Sequence, residues 1–222
     1  SAVEAIIEQV GLALENQRLF DQTQSALLES STLYEASAKL NAAETYEDVL
    51  EVLRKYTILG GKSHHISLNI FNKTWTQTDT PDYVQVLARI SDLPENTLLP
   101  QYKLEDFPEI SELLRYNQST IVDDIDSDEA RMHVAMRQLY RDVFNAKSTI
   151  FVPLAVGTQW IGFINAVYAE KTSFPEDEMQ RTLALASQSA VAVSNKQLLT
   201  NTQERATQLE TLSHVEAVLS QA

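Results

Sequence analysis

The chain has 222 residues, and 44% of them are hydrophobic, which is enough to bury a core. Its formal net charge of -14 disfavours contact with nucleic acid or anionic membranes. The absence of Cys excludes disulfides, thiolate-bound metals and thioether-linked chromophores within this sequence. Because there is neither an apolar run of transmembrane length nor an N-terminal secretion signal, we expect a cytoplasmic location and no membrane contact.

The first part of the chain predicts helices followed by strands. Residues 1–43 carry apolar residues at helical spacing with no Pro and a single Gly, which predicts a long helix. Thr45 is a suitable cap for a second helix that runs to about Tyr56. His65–Phe71 alternates apolar and polar residues and therefore predicts a half-buried strand, with a neighbouring strand at Tyr83–Ile90.

The second part of the chain predicts a similar alternation of helices and strands. The predicted elements are a short helix after Pro108, a strand at Thr120–Val122, a helix from about Glu129 to Phe144, strands at Thr149–Val156 and Trp160–Tyr168, and a long helix opened by Pro175. Helices at both ends with short, turn-linked strands between them predict an α+β domain with helices packed on an antiparallel sheet.

An internal repeat relates the two ends of the chain. Residues 13–20 resemble residues 192–199, which lie 179 positions later, and the similarity continues beyond these segments. A period of this length matches a whole domain, so we interpret the chain as one unit of a tandem array. The predicted organisation is a helical tail of a preceding module at 1–31, one domain at 32–200, and a connecting helix to the next module at 201–222.

Three segments in the second half of the chain resemble the GAF domain family. Ser148–Leu154 reads as a strand ending in Pro-Leu, Gln159–Asn165 as a strand opened by an apolar-Gly pair, and Phe174–Glu178 as an acidic helix start after Phe. Thr120–Asp123 is similar to the family's strand that ends in Asp. The order and spacing of these segments identify residues 32–200 as similar to a GAF domain.

The GAF resemblance implies both a fold and a class of function. It implies a central six-stranded antiparallel sheet with helices on both faces, the terminal helices on one face and a small-molecule pocket on the other. It also implies a non-catalytic sensory module of a signalling protein, such as a histidine kinase of a two-component system or a cyclase. Fold membership does not identify the ligand.

Candidate pocket residues lie on the helix predicted after Asp128. Met132, Met136 and Tyr140 recur four residues apart, so they would share one face of that helix. This face could line a small-molecule cavity or could serve as sheet-facing core, and the sequence leaves both interpretations open. Asp123, at the end of its predicted strand, is the fourth pocket candidate.

Two groups of potential metal ligands are better explained as structural residues. Asp124, Asp126 and Asp128 alternate as in an EF-hand, but the Gly and Glu that such a loop needs at its sixth and twelfth positions are absent. We expect Asp126, Ser127 or Asp128 to cap the following helix instead. His64 and His65 should point to opposite faces of a strand, which disfavours a shared metal, and neither is a strong candidate for haem. We therefore predict no metal site and no required cofactor.

The sequence contains no recognisable catalytic motif. There is no hydrolase triad, Gly-rich phosphate loop or transferase motif, so we predict no catalytic residue. The residues after Ser213-His214 differ from the phosphoacceptor box of histidine kinases. The Asn-Lys-Phe-Asp-Glu signature of cyclic-nucleotide-binding GAF domains is also absent, since Asn72-Lys73 is followed by Thr74-Trp75.

The two terminal helices carry a partly apolar seam with alternating steps of four and three residues, which is typical of a coiled coil. An Asn within such a seam can set its register. We predict a weak homodimer, parallel by hypothesis, in which a ligand biases two helix arrangements. The alternative is a ligand-free structural spacer and dimerisation module. The candidate dimer residues are Leu12, Asn16, Leu19, Leu33, Val191, Asn195, Leu198, Leu209 and Leu212.

Overall fold

The computed structural model describes residues 2–76, 78–94, 98–107, 110–127 and 132–219. Within these ranges no helix is long and apolar enough to cross a membrane. The helices are α1 (Ala2–Asn41), α2 (Tyr46–Tyr56), α3 (Ile110–Leu113), α4 (Val134–Asp142) and α5 (Glu176–Leu219). The strands are β1 (Ser63–Trp75), β2 (Tyr83–Ser91), β3 (Gln101–Lys103), β4 (Thr120–Val122), β5 (Ser148–Val156) and β6 (Gln159–Tyr168).

The six strands form one antiparallel sheet in the order β3-β2-β1-β6-β5-β4. This arrangement confirms the predicted α+β class and the predicted six-stranded antiparallel sheet. The sequence analysis did not predict β3, because three residues are too few to establish an alternating pattern.

The α2 helix begins where the sequence predicts, at a capping box. Thr45 Oγ1 accepts a hydrogen bond from the Asp48 N–H at 3.0 Å, and Asp48 Oδ2 accepts one from the Thr45 N–H at 2.8 Å. Two donors that the helix start would otherwise leave unpaired are therefore satisfied. Val49, Leu50 and Leu53 form the buried face of the helix.

Alternation along the strands divides the core into two apolar clusters, one on each face of the sheet. On β5, Ile150, Val152 and Leu154 pack in the cluster formed with α1, α2 and α5. Phe151, which points to the other face, packs in the cluster formed with α3 and α4. Helices therefore cover both faces of the sheet, as predicted, and α1 and α5 lie on the same face.

The α4 helix is shorter than the sequence predicts. It begins at Val134 after His133 in extended conformation, and it ends at Asp142 shortly before Asn145, which adopts a left-handed φ of 47°. Met132 precedes the helix, so only Met136 and Tyr140 share its inner face. The predicted cap at Asp126, Ser127 or Asp128 is not confirmed: the N-cap is His133, so Asp126 and Ser127 do not cap the helix, and Asp128 lies outside the described residues.

Candidate ligand pocket

A cavity of about 210 Å³ lies on the sheet face that is opposite α1, α2 and α5. The strands β1, β2, β5 and β6 form its floor, and α4 contributes Met136, Leu139 and Tyr140 to the roof. The remaining wall is apolar and comes largely from the segment around β3, with Leu98, Leu99, Tyr102, Phe107 and Ile110. The cavity therefore lies between the sheet and the helices of the middle of the chain.

A row of cross-strand partners crosses the floor of this cavity. Arg89 on β2 is paired with Ser67 on β1, and Ser67 is paired with Asn165 on β6. Asn165 is paired in turn with Phe151 on β5. Directly opposed residues in antiparallel strands have Cβ atoms about 4.5–5.5 Å apart, so the row places a cation, a hydroxyl and an amide next to one another.

The amide of Asn165 holds the roof of the cavity to its floor. Its Oδ1 accepts a hydrogen bond from the Tyr140 hydroxyl at 2.9 Å, and its Nδ2 donates to Thr149 Oγ1 at 2.8 Å and to the Ile150 carbonyl at 3.1 Å. Burial raises the pKa of Tyr140, so its hydroxyl remains a donor at neutral pH. The polar groups of Asn165 are thus used in fixing α4 on the sheet.

A second amide fixes the orientation of Ser67. Asn69 Nδ2 donates to the Ser67 carbonyl at 3.1 Å and to Ser67 Oγ at 3.0 Å. Because Ser67 Oγ accepts this bond, its own hydrogen can be directed to a ligand. Both residues line the cavity and are buried.

His65 contributes a neutral ring to the cavity. Its Nδ1 lies 2.9 Å from Ser91 Oγ, and its ring meets Phe144 edge-on at 5.0 Å between centroids. Burial lowers the pKa of His65 to about 4, and the nearby charges of His64 and Arg89 act in the same direction. The ring is therefore uncharged at neutral pH.

The prediction that His64 and His65 point to opposite faces is wrong. The His64 Nε2–H donates to the Phe144 carbonyl at 2.5 Å, so both His rings reach the same residue. The cause is a shift in the β1–β6 register between Ser63 and His65, because a bulge of this kind interrupts the regular alternation of side chains.

Arg89 is the charged residue at this site. One guanidinium nitrogen, Nη1, donates to the Leu98 carbonyl at 3.1 Å. Among the described residues that line the cavity there is no Asp or Glu. At neutral pH the described lining therefore carries a positive charge that no carboxylate of the lining balances.

The four residues predicted to line a pocket have different positions. Met136 and Tyr140 line the cavity. Met132 is buried in the same apolar cluster but does not line the cavity. Asp123 is exposed just after β4 and lies outside it.

The sequence analysis missed Arg89 and Ser67 as pocket residues. Ser67 belongs to the polar side of the β1 pattern, together with His65 and Asn69, and nothing in that local pattern distinguishes a buried polar face from a water-facing one. This side is buried, with Ser67 only 6% exposed, rather than facing water.

The two described aspartates of the EF-hand-like run, Asp124 and Asp126, form ion pairs. Asp124 pairs with Lys171, and Asp126 pairs with Arg141 and with Lys147. Hydrogen bonds from Lys147 and Arg141 lower the pKa of Asp126. Among the described residues there is no group of three or more side chains suited to hold a metal ion.

The predicted dimer residues are mostly exposed on the two terminal helices. Leu12, Asn16, Leu19, Val191, Asn195, Leu198 and Leu209 are exposed. Leu33 is half-buried and packs against the domain's own core, while the side chain of Leu212 lies outside the described part. A second apolar line with a spacing of seven residues, which the sequence analysis missed, is also exposed on α1: Phe20, Leu27 and Tyr34.

Several solved structures are similar to this chain. The chromophore-binding domain of a bacteriophytochrome from R. palustris is 14% identical over 74% of the chain with a TM-score of 0.56, and the chain covers 60% of that domain. The GAF domain/HD domain protein from Geobacter sulfurreducens is 22% identical, with 72% of this chain and 98% of that one covered and a TM-score of 0.52. The phycocyanobilin-bound GAF domain from a cyanobacterial phytochrome is 20% identical, with a TM-score of 0.53. The match covers 77% of this chain and 96% of that domain.

These similarities confirm that the chain has the GAF fold. No protein-family profile and no curated protein matches the sequence. At such low identities the likeness concerns the fold, and the function has to be argued from this chain's own residues.

Proposed function

We propose that this chain is a non-catalytic sensory module that binds a small molecule in the cavity and relays its presence through α1 and α5. The observation that carries the proposal is the cavity of about 210 Å³ with a polar row on its floor. The module would belong to a cytoplasmic signalling protein, for which a histidine kinase of a two-component system is our first candidate.

The strands supply a physical route from the cavity to the terminal helices. Phe151 on β5 lines the cavity, whereas its neighbours Ile150 and Val152 pack in the cluster that contains the inner face of α5. On β6, Asn165 lines the cavity and Ile164 packs in the helix-side cluster. A shift of either strand on ligand binding would change the surface on which α5 rests, because interiors are close-packed.

The exposed apolar residues of the terminal helices support a homodimer. Leu19 on α1 and Leu198 on α5 have exposed fractions of 49% and 62%, and other apolar residues follow along both helices. Apolar stripes of this kind on long helices are typical of coiled-coil contacts. The dimer would carry the signal if the ligand favoured one of two helix arrangements.

A bilin chromophore linked to this chain by a thioether does not fit the residues present. The phycocyanobilin-bound GAF domain has a similar fold, but this sequence contains no Cys for a thioether link. The cavity of about 210 Å³ is also below the range of roughly 300–1,000 Å³ that accommodates drug-sized ligands. The proposed ligand is therefore smaller than a tetrapyrrole.

Native mass spectrometry of the purified chain tests the proposal. We expect a dimer with additional mass from a bound small molecule. A monomer at high protein concentration would contradict the dimer relay, and the absence of any binding molecule in subsequent ligand screens would contradict the sensor.

The second candidate function is a ligand-free spacer and dimerisation module. The observation that favours it is the internal satisfaction of Asn165 by Tyr140, Thr149 and Ile150, because a saturated polar group does not need a ligand. A dimer that binds no small molecule would support this candidate.

A further inference from the structure

We propose that the pocket binds a small organic carboxylate with an apolar body, and that Arg89 and Ser67 hold its carboxylate group. This inference rests on the proposed function, because it specifies the ligand class of the same cavity. It follows from the charge of the lining, the arrangement of the donors and the size of the space.

The charge of the lining selects an anion. Arg89 lines the cavity, and the described lining residues include no Asp or Glu to balance it. His65 is neutral at neutral pH, because burial and the nearby positive groups lower its pKa to about 4. Arg89 is half-buried, so its charge is only partly solvated, and a ligand that supplies a negative charge has an advantage over a neutral one of the same shape.

The donors are arranged for a carboxylate rather than for a single acceptor atom. A guanidinium presents five N–H groups in a planar fork, and the Leu98 carbonyl accepts from one nitrogen of Arg89. Ser67 is the direct cross-strand partner of Arg89 and has its Oγ already accepting from Asn69. Its hydroxyl hydrogen and the free edge of the guanidinium can therefore reach the two oxygens of one carboxylate.

The rest of the cavity suits an apolar body of limited size. By comparison with a cavity of about 150 Å³ that holds benzene, a cavity of about 210 Å³ suits a molecule of roughly eight to ten non-hydrogen atoms. The other polar groups near Ser67 are engaged with one another, since Asn165 is bonded to Tyr140 and Thr149. The body of the ligand would contact the apolar lining, which includes Met136, Leu139, Phe144, Phe151 and Phe163.

A matched pair of probes tests the ligand class. Phenylacetate and phenylacetamide have the same number of non-hydrogen atoms and nearly the same shape, but only phenylacetate carries a charge. We expect isothermal titration calorimetry with the full chain at pH 7.5 and low salt to show phenylacetate binding at least about tenfold more tightly, since hydrogen bonds to charged groups are the strong ones.

Variants test whether Arg89 and Ser67 cause the preference for the charged probe. We expect Arg89→Gln to abolish the preference for the charged probe, Arg89→Lys to retain part of it, and Ser67→Ala to weaken phenylacetate binding several-fold. Arg54→Gln is the matched control, because Arg54 lies on α2 on the opposite side of the sheet and pairs there with Glu51. Circular dichroism of each variant verifies that it is folded. If Arg89→Gln does not fold, Arg89→Lys tests the role of Arg89 instead.

The outcomes separate this inference from the proposed function. Equal affinity for the two probes, or a neutral molecule found by mass spectrometry in extracts of the purified protein, would overturn the carboxylate class and leave the sensory function standing. Unchanged discrimination in a folded Arg89 variant would overturn the role of Arg89. No binding of either probe at millimolar concentration, together with no bound molecule in the extracts, would overturn both.

Discussion

At the scale of single residues, the bond between Tyr140 and Asn165 connects the helical roof of the pocket to the sheet. Both side chains are buried, and Tyr140 donates to Asn165 Oδ1 at 2.9 Å. Removal of the hydroxyl would leave the amide oxygen buried without this donor, which generally costs more than the net value of a hydrogen bond.

We predict that Tyr140→Phe lowers the free energy of unfolding by about 1–3 kcal/mol. Urea denaturation followed by circular dichroism measures the change. Tyr34→Phe is the control, because Tyr34 is 79% exposed on α1 and its variant should retain the wild-type midpoint. Equal midpoints for the two variants would show that the Tyr140 bond contributes nothing measurable.

The buried ring of His65 makes stability sensitive to acid. Its pKa is about 4 in the folded chain against 6.5 for an unperturbed His, chiefly because of burial. Well above pH 6.5 the ring is neutral in both states, so it has no effect on the pH dependence there. As pH falls from 6.5 to about 4, the unfolded chain binds a proton that the folded chain does not, and stability decreases.

We predict that His65→Asn reduces this loss of stability by up to about 3 kcal/mol between pH 6.5 and 4. Urea titrations at a series of pH values measure it, and the difference between variant and wild type should stay constant from pH 7 to 8. Identical pH profiles over the acid range would contradict a buried neutral His65.

At the scale of elements, the centre of the sheet depends on a glycine in β6. An added Cβ at Gly162 would lie 2.1 Å from the Asn69 carbonyl oxygen and 3.0 Å from the Ile70 Cα, both of which belong to the backbone of β1. The two strands would have to separate, and the pocket residues on β1 would move with them.

We predict that Gly162→Ala destabilises the fold by about 1–3 kcal/mol or more, as overpacking of a close-packed interior does. Gly11→Ala is the matched control. A Cβ at Gly11 meets nothing within 4 Å in α1, so this variant should be more stable by about 0.5–1 kcal/mol. Thermal unfolding compares the two, and a Gly162→Ala protein as stable as wild type would contradict the close approach of β1 and β6.

For strand β1, the sequence predicted the role of the apolar residues but not that of the polar residues. The apolar residues Ile66, Leu68 and Ile70 correctly predicted a strand, because period-two alternation is a local property. The prediction that this strand is half-buried is wrong, because His65–Phe71 is buried on both faces of the sheet. The polar face of the same strand was more difficult. Ser67 and Asn69 resemble water-facing residues, and only the tertiary placement of α4 above them turns this face into the floor of a pocket.

The position of Arg89 in the pocket could not be predicted from the sequence either. It lies on β2, opposite Ser67, and this pairing depends on an irregularity of register between Leu68 and Asn69. A bulge inserts one extra residue into a strand, and no sequence signal marks it clearly. The cross-strand partner of a residue therefore cannot be found by counting positions from the turn between the two strands. Helical spacing correctly placed Met136 and Tyr140 on one face of α4, but it left open whether that face lines a cavity or packs as core.

At the scale of the whole molecule, the resemblance to GAF domains predicted the six-stranded sheet and the helices on both of its faces. The homodimer remains a prediction of this scale. It rests on exposed apolar residues of α1 and α5, since these have no intramolecular reason to recur at coiled-coil spacing.

We predict that the double variant Leu19→Glu and Leu198→Glu weakens dimerisation by tenfold or more, because charged residues in an apolar seam must be desolvated. Sedimentation equilibrium over a range of concentrations measures the dissociation constant. Val134→Glu, an equally exposed apolar position on α4 away from the terminal helices, should leave it unchanged. If the double variant has the wild-type dissociation constant, Leu19 and Leu198 do not form the dimer contact.

In the proposed relay, occupancy of the pocket changes the terminal helices. Hydrogen–deuterium exchange of the whole chain, followed by mass spectrometry with and without saturating phenylacetate, tests it most directly. We predict slower exchange in α4 and β1, which surround the pocket, together with a change in exchange along α1 and α5 on the other face of the sheet. Protection confined to the pocket, with both terminal helices unchanged, would contradict the relay.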